Sequence, residues 1–196
     1  MSTILQSLNS DLTTLIEKVR PSLVQISNGH AGQGAGTIWH GDGLIITNAH
    51  VVQHHHLKVT LADGRTFPAR ILAHDPKRDL AALSIEAQNL PTVELGNSQR
   101  LMPGEWLLGI GHPWGVPGAV TVGSVITVGP HPEMRFYAGD LIQVDMHLRP
   151  GHSGGPMVDG RGRVVGINTM INGPNVGLAV PVHVVKAFLQ ENISKQ

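Results

Sequence analysis

Pro150-Gly151-His152-Ser153-Gly154-Gly155-Pro156 sets a serine among glycines just before the short apolar run Pro156 to Val158. Little side-chain bulk surrounds such a turn, so the Ser153 hydroxyl is left open. The same glycines let another chain approach the backbone. The N–H groups of Gly151 and Ser153 can converge on one point, the geometry an oxyanion requires. A serine hydroxyl near neutral pH is a weak nucleophile and needs a base with an orienting partner. Alone, the stretch also suits a plain flexible turn, so its reading depends on what else the chain holds.

Two other segments supply those groups. Thr47-Asn48-Ala49-His50-Val51-Val52 follows the apolar run Gly43 to Thr47, which places His50 at a strand end. Arg78-Asp79-Leu80-Ala81-Ala82-Leu83 places Asp79 directly before another apolar strand. An Asp79 carboxylate accepting from His50 Nδ1–H fixes the tautomer whose Nε2 takes the Ser153 proton. Taken singly, the histidine reads as a structural residue and the aspartate as a turn cap. In the order His, Asp, Ser, at spacings of 29 and 74 residues, they read as a triad with two members in one half of the chain and the third in another.

Around these segments the chain reads as all-β. It has 24 glycines, 13 prolines and 4% aromatic residues, which describes many short elements joined by turns. Runs rich in Val, Ile, Leu and Thr predict twelve strands. Six lie in the first half, at Leu23 to Ser27, Gly36 to His40, Gly43 to Thr47, Leu57 to Leu61, Thr66 to His74 and Leu80 to Ile85. Six more lie at Trp106 to Ile110, Ala119 to Val128, Leu141 to Asp145, Pro156 to Val158, Arg163 to Thr169 and Val176 to Pro181. Asp42-Gly43 and Asp63-Gly64 mark tight reversals between antiparallel neighbours. Leu5, Leu8, Leu12, Leu15, Ile16 and Val19 form one apolar helical stripe that Pro21 ends, and Val184, Val185, Phe188 and Leu189 form another after Pro181. The stretch from Ala87 to Gly104 carries no sustained period and reads as a connection between two halves.

Composition excludes several classes. With 196 residues, 14 Lys+Arg against 14 Asp+Glu and 41% hydrophobic residues, the chain fits one domain or two small halves sharing a core. A neutral total without a basic run gives no electrostatic reason to expect nucleic acid. The absence of cysteine removes disulfides, thiolate zinc ligands and a thiol nucleophile. No 18-residue apolar run and no signal-peptide core occur, so the chain reads as soluble, without membrane insertion. On that reading it is cytoplasmic if complete, and a chain trimmed of an export leader would look the same. His54, His55 and His56 are adjacent, so in an extended segment they point to alternating faces; they read as surface histidines with no metal. His30, His112 and His131 read as surface or turn residues whose charge can make activity sensitive to pH.

These motifs resemble the trypsin-like serine proteases, and within them the HtrA (DegP-like) family. The likeness runs through Gly34-Ala35-Gly36-Thr37, Thr47-Asn48-Ala49-His50, Asp75-Pro76 with Arg78-Asp79-Leu80-Ala81, Gly109-Ile110-Gly111-His112-Pro113-Trp114-Gly115, the serine turn and Gly166-Ile167-Asn168. It implies two six-stranded antiparallel β-barrels with short N- and C-terminal helices and the active site between the barrels. The expected division is a helix over 1–20, a first barrel over 21–90, a linker over 91–102, a second barrel over 103–181 and a helix over 182–196. The resemblance implies an endopeptidase acting on unfolded or damaged polypeptide without a cofactor. His50 would be the base, Asp79 its orienter, Ser153 the nucleophile, and Gly151 and Ser153 N–H the oxyanion donors. It also implies a homotrimer assembled through the N-terminal region.

Departures from the family pattern sharpen the expectations. Arg149 and His152 stand where the family usually has Asn. Because His152 is not the aspartate of zymogen-type relatives, activation by a newly cut N-terminus is not expected. The family often carries PDZ domains after the protease domain, whereas this sequence stops at Gln196, so regulation by such a domain is not expected within it. By resemblance the primary pocket is lined by Ile142 to Leu148 and by Gly166, Ile167 and Asn168. An inward His147 would admit acidic or polar side chains. A competing reading keeps the fold but has the chain hold polypeptide without cutting it, as a chaperone does.

Overall fold

The structure is a computed structural model and describes residues 3–27, 33–53, 56–131, 134 and 137–193. Twelve strands run in chain order as β1 (Leu23–Ser27), β2 (Gln33–His40), β3 (Leu44–Thr47), β4 (Lys58–Thr60), β5 (Thr66–Asp75), β6 (Leu80–Ile85), β7 (Trp106–Gly111), β8 (Ala119–Pro130), β9 (Asp140–Asp145), β10 (Pro156–Asp159), β11 (Val164–Ile171) and β12 (Val176–Pro181). They close into two six-stranded barrels, β1-β2-β3-β6-β5-β4 and β10-β11-β12-β9-β8-β7. Every pairing between these strands is antiparallel, so short turns suffice and neither sheet leaves an open edge. The expected fold class is the observed one.

Each barrel fills its interior from alternate positions of its own strands. Val24, Ile26, Ile45, Val59, Leu83 and Ile85 fill the first, and Leu107, Val125, Ile142, Val144, Met157 and Val165 the second. A third apolar cluster joins the two, with Leu23, Ala35 and Leu80 from one side packed with Leu108, Ile110 and Ile167 from the other.

Two helices seal this shared cluster. In α1 (Ile4–Val19), Thr3 closes a capping box with Gln6, and Pro21 follows in a tight final turn. Leu12, Leu15 and Ile16 pack on the shared cluster, whereas Ile4 and Leu5 are exposed to 89% and 70%. In α2 (Val182–Asn192), Phe188 is fully buried and Arg78 lies over its ring, 5.7 Å from the centroid. Arg78 also pairs with Asp75 and with Glu191 of α2, which fixes the β5–β6 turn just ahead of Asp79.

Between β6 and β7 the chain makes no long strand. Leu95 forms a lone parallel bridge with Val164, and a short turn at Ser98–Arg100 is tied to α2 through Ser98 Oγ and His183 Nδ1 at 2.9 Å. The expected linker, 91–102, falls inside this segment. No helix among the described residues is long and apolar enough to cross a membrane. His30, His54 and His55 lie outside the described residues.

Candidate active site

β3 ends at Thr47, and the chain turns through Asn48 into a helical turn at Ala49–Val52 that carries His50. Asp79 sits between β5 and β6 with φ of 49°, a left-handed conformation that a non-glycine residue holds only when its surroundings determine it. Those surroundings are explicit. Asn48 Nδ2 donates to the Asp79 carbonyl at 2.9 Å, and His50 N–H donates to Asp79 Oδ1 at 3.1 Å. His50 Nδ1 lies 3.0 and 2.9 Å from the two carboxylate oxygens, and the Thr169 hydroxyl donates to Oδ2. An ionised carboxylate only accepts, so the proton shared with it resides on Nδ1 and Nε2 keeps its lone pair.

Ser153 comes from the opposite barrel, on the turn ahead of β10. That turn is sewn to β2: Ala35 N–H donates to the Ser153 carbonyl at 2.8 Å, and the Thr37 hydroxyl donates to the Gly154 carbonyl at 3.2 Å. Gly154 has φ of 85°, and any side chain there would collide with the Ala35 carbonyl and the Thr47 hydroxyl. A larger residue would hold the barrels apart where His50, Asp79 and Ser153 meet. Gly151 has φ of 102°, and a Cβ there would run into the His112 carbonyl. Neither Gly151 N–H nor Ser153 N–H has an acceptor among the described residues, although Gly151 is buried. Buried unpaired amides are rare and call for an incoming acceptor.

His50, Asp79 and Ser153 line one cleft. The expected His50–Ser153 hydrogen bond is not made. Ser153 Oγ instead donates to the Thr169 carbonyl at 2.9 Å. Thr169 therefore holds both ends of the constellation, its hydroxyl on Asp79 and its carbonyl on Ser153. Hydrogen bonds of this kind are often long or unmade in the absence of substrate and tighten when it arrives.

The rest of the cleft wall differs from expectation. Leu148 lines it, but Ile142, Gly166, Ile167 and Asn168 do not. Ile142 and Ile167 are fully buried in apolar clusters, and the Gly166 position faces Ile142 and the β12 backbone. Asn168 donates to the Ile110 and Pro156 carbonyls, a tie between strands. The β11–β12 register shifts between Asn168 and Ile171, a bulge of the kind that re-aims side chains beside active sites. The wall is made by Thr169, Met170 and Ile171, the three residues of β11 directly after the expected ones. His147 is exposed, with Nδ1 3.0 Å from the Pro174 carbonyl, and does not line the cleft. Met134 and Tyr137 close the far side. Burial, with the nearby Asp79 charge, pushes the Tyr137 phenol well above its ordinary pKa, so this wall stays uncharged. No group of three or more potential metal ligands gathers among the described residues.

The trypsin-like peptidase domain family matches residues 34–167, which includes His50, Asp79, Gly151 and Ser153 and stops just short of Thr169. The chain belongs to the trypsin-like peptidase family. Its relatives place it in the HtrA branch. It is 38% identical over 175 residues to the putative serine protease HhoB of Synechocystis sp., covering 84% of this chain and 41% of HhoB. It is 39% identical over 170 residues to a probable periplasmic DegP-like serine endoprotease of Chlamydia muridarum, covering 84% of this chain and 34% of that protein. The solved structure of the HtrA-type protease AlgW with a tripeptide superposes with a TM-score of 0.88 at 31% identity, over 93% of this chain and 64% of AlgW. The chain thus spans well under half the length of these two curated relatives. In this trypsin-like domain, Thr169 is the site residue that spacing alone did not reveal, although it directly follows Gly166-Ile167-Asn168.

Proposed function

We propose that this HtrA-type domain is a serine endopeptidase that cleaves unfolded or damaged polypeptide through an acyl-enzyme. The observation that carries the reading is the His50–Asp79 pair, with a basic Nε2 left over, facing a cleft that also holds Ser153. Ser153 Oγ leaves the Thr169 carbonyl by rotation about its Cα–Cβ bond and gives its proton to His50 Nε2 as it attacks the scissile carbonyl. Asp79, held by three donors, stabilises the imidazolium that forms. The Gly151 and Ser153 amides take the oxyanion, and the imidazolium then protonates the leaving amine. Water, deprotonated by His50, releases the acyl group.

The cleft wall of Leu148, Met170, Ile171 and Met134 suits an apolar side chain beside the bond that is cut. Exposed Ile4, Leu5 and Leu8 give α1 a surface for self-association, and we assign the trimer of the family to it. Sedimentation of a variant carrying Ser at these three positions should show loss of the assembly. A fluorophosphonate probe tests the chemistry itself. Stoichiometric labelling at Ser153 is expected, and an unlabelled, folded protein would refute the reading.

A further inference from the structure

The Arg149–His152 turn carries Gly151, and its conformation is held by an unusual side chain. His152 N–H donates to the Arg149 carbonyl at 3.0 Å. The His152 ring folds back over the same turn, so that Nδ1 stands 3.1 Å from the Arg149 N–H and 3.1 Å from the Arg149 carbonyl. The residue is 2% exposed, and its Nε2 is buried without a partner among the described residues. Arg149 N–H has Nδ1 as its acceptor, so the neutral ring carries its proton on Nε2. A second proton, placed on Nδ1, turns that acceptor into a donor. It must abandon the Arg149 N–H, which is left without its acceptor, and turn to the Arg149 carbonyl, which then accepts from both His152 N–H and Nδ1–H. One proton thus separates two hydrogen-bonding states of the turn.

His112 braces the other side. Its N–H donates to the Gly151 carbonyl at 2.8 Å, and its buried Nδ1 accepts from Gly118 N–H at 3.3 Å. Both rings therefore carry their proton on Nε2.

Resting on the assignment of Gly151 N–H as an oxyanion donor, we propose that neutral His152 is a positioning residue. Its Nδ1 accepts the Arg149 N–H and thereby holds the turn in the form that leaves Gly151 N–H unpaired; protonation of Nδ1 releases that turn. The charged and titratable groups around it are Arg149 and His147 on its own loop and His112 from the β7–β8 connection, with Arg20 acting on His112. Burial lowers the His152 pKa, the contact with the Arg149 carbonyl opposes this, and the Arg149 and His147 charges add to the lowering. The release accordingly falls at lower pH than the titration of an ordinary imidazole.

The test is steady-state hydrolysis of dye-labelled β-casein across pH, with folding of each variant checked by circular dichroism. For the wild-type protein, kcat should fall toward acid along a limb that steepens from one power of proton concentration to two. In His152→Asn, Oδ1 stands where Nδ1 stood and does not titrate. This variant should keep kcat within about 3-fold at pH 8 and fall as one power throughout. The amide of His152→Gln reaches the place of Nε2 instead, so kcat should drop about 10-fold or more at every pH with KM unchanged, a share of what one oxyanion donor is worth. A folded His152→Gln protein with wild-type kcat overturns the proposal, as does a two-power limb that survives His152→Asn or vanishes in His112→Asn instead. If His152→Gln fails to fold, the His152→Asn profile decides. A wild-type protein that neither labels with fluorophosphonate nor cuts casein removes the protease reading and this inference together. A labelled, active wild type whose profile His152→Asn leaves unchanged removes this inference alone.

Discussion

In the first barrel, His50 and Asp79 are tied down on every polar atom that faces the other, and the strained Asp79 backbone is clamped by Asn48. In the second barrel, Ser153 points to a backbone carbonyl, two amides beside it lack acceptors among the described residues, and the turn that carries them hangs on buried imidazoles. On the proposed function, the acid–base half of the site is complete before substrate arrives, whereas the nucleophilic half is held ready and unfinished. Preorganised dipoles are useful for catalysis only when they are kept from pairing with the protein itself. The second barrel keeps them so by geometry that tolerates glycine alone at Gly151 and Gly154.

Substitutions separate the two halves. Ser153→Ala should lower kcat on casein by roughly 10⁶-fold while the folded structure persists, as a triad knockout does elsewhere; a loss below about 10-fold would show that Ser153 is not the nucleophile. Asp79→Asn leaves the shape but favours the wrong imidazole tautomer, and should cost about 10⁴-fold in kcat with KM nearly constant. Gly154→Ala forces a side chain between the barrels at positive φ. We expect a loss of about 3 kcal/mol in urea unfolding, from overpacking and left-handed strain together.

Acid should expose the second barrel's dependence on its neutral histidines. Burial lowers the pKa values of His112 and His152 below the ordinary 6.5. The unfolded chain therefore binds protons that the folded chain refuses. Their contribution to stability is full above about pH 6.5 and is lost as pH falls toward their folded values. The thermal midpoint should decline between pH 7 and 5.5, above the range where carboxylates titrate, and a His112→Asn/His152→Asn protein should decline less. The smallest effect is assigned to His147. Its ring faces the Pro174 carbonyl outside the cleft, so His147→Ala should leave the cleavage pattern of denatured casein, read by mass spectrometry, unchanged.

The twelve strands were legible because each is a short apolar run bounded by turn residues, and all twelve fall where those runs lie. Boundaries moved by a few residues. β2 begins at Gln33 rather than Gly36, for example, since pairing with β1 extends to Ser27 and includes residues whose composition is neutral. That His50, Asp79 and Ser153 line one cleft was legible because the proposed chemistry asks for those side chains beside particular backbone shapes. The specificity wall was not. It lies where the β11–β12 register shifts, an irregularity that no side-chain pattern announces, and it is lined by Thr169, Met170 and Ile171 rather than Gly166, Ile167 and Asn168. The folded-back ring of His152 was equally hidden, since nothing in the order of residues says that Nδ1 will meet the amide three positions earlier.

The stitching of the serine turn to β2 has a further effect. Because the carbonyls of Ser153 and Gly154 are both held by the neighbouring barrel, widening the seam beside Ser153 would break both hydrogen bonds. On the proposed function, a client would then enter lengthwise as a loose, drawn-out strand. Selection between a native protein and a collapsed one would thereby rest on the client's own willingness to fray, before any side chain is inspected.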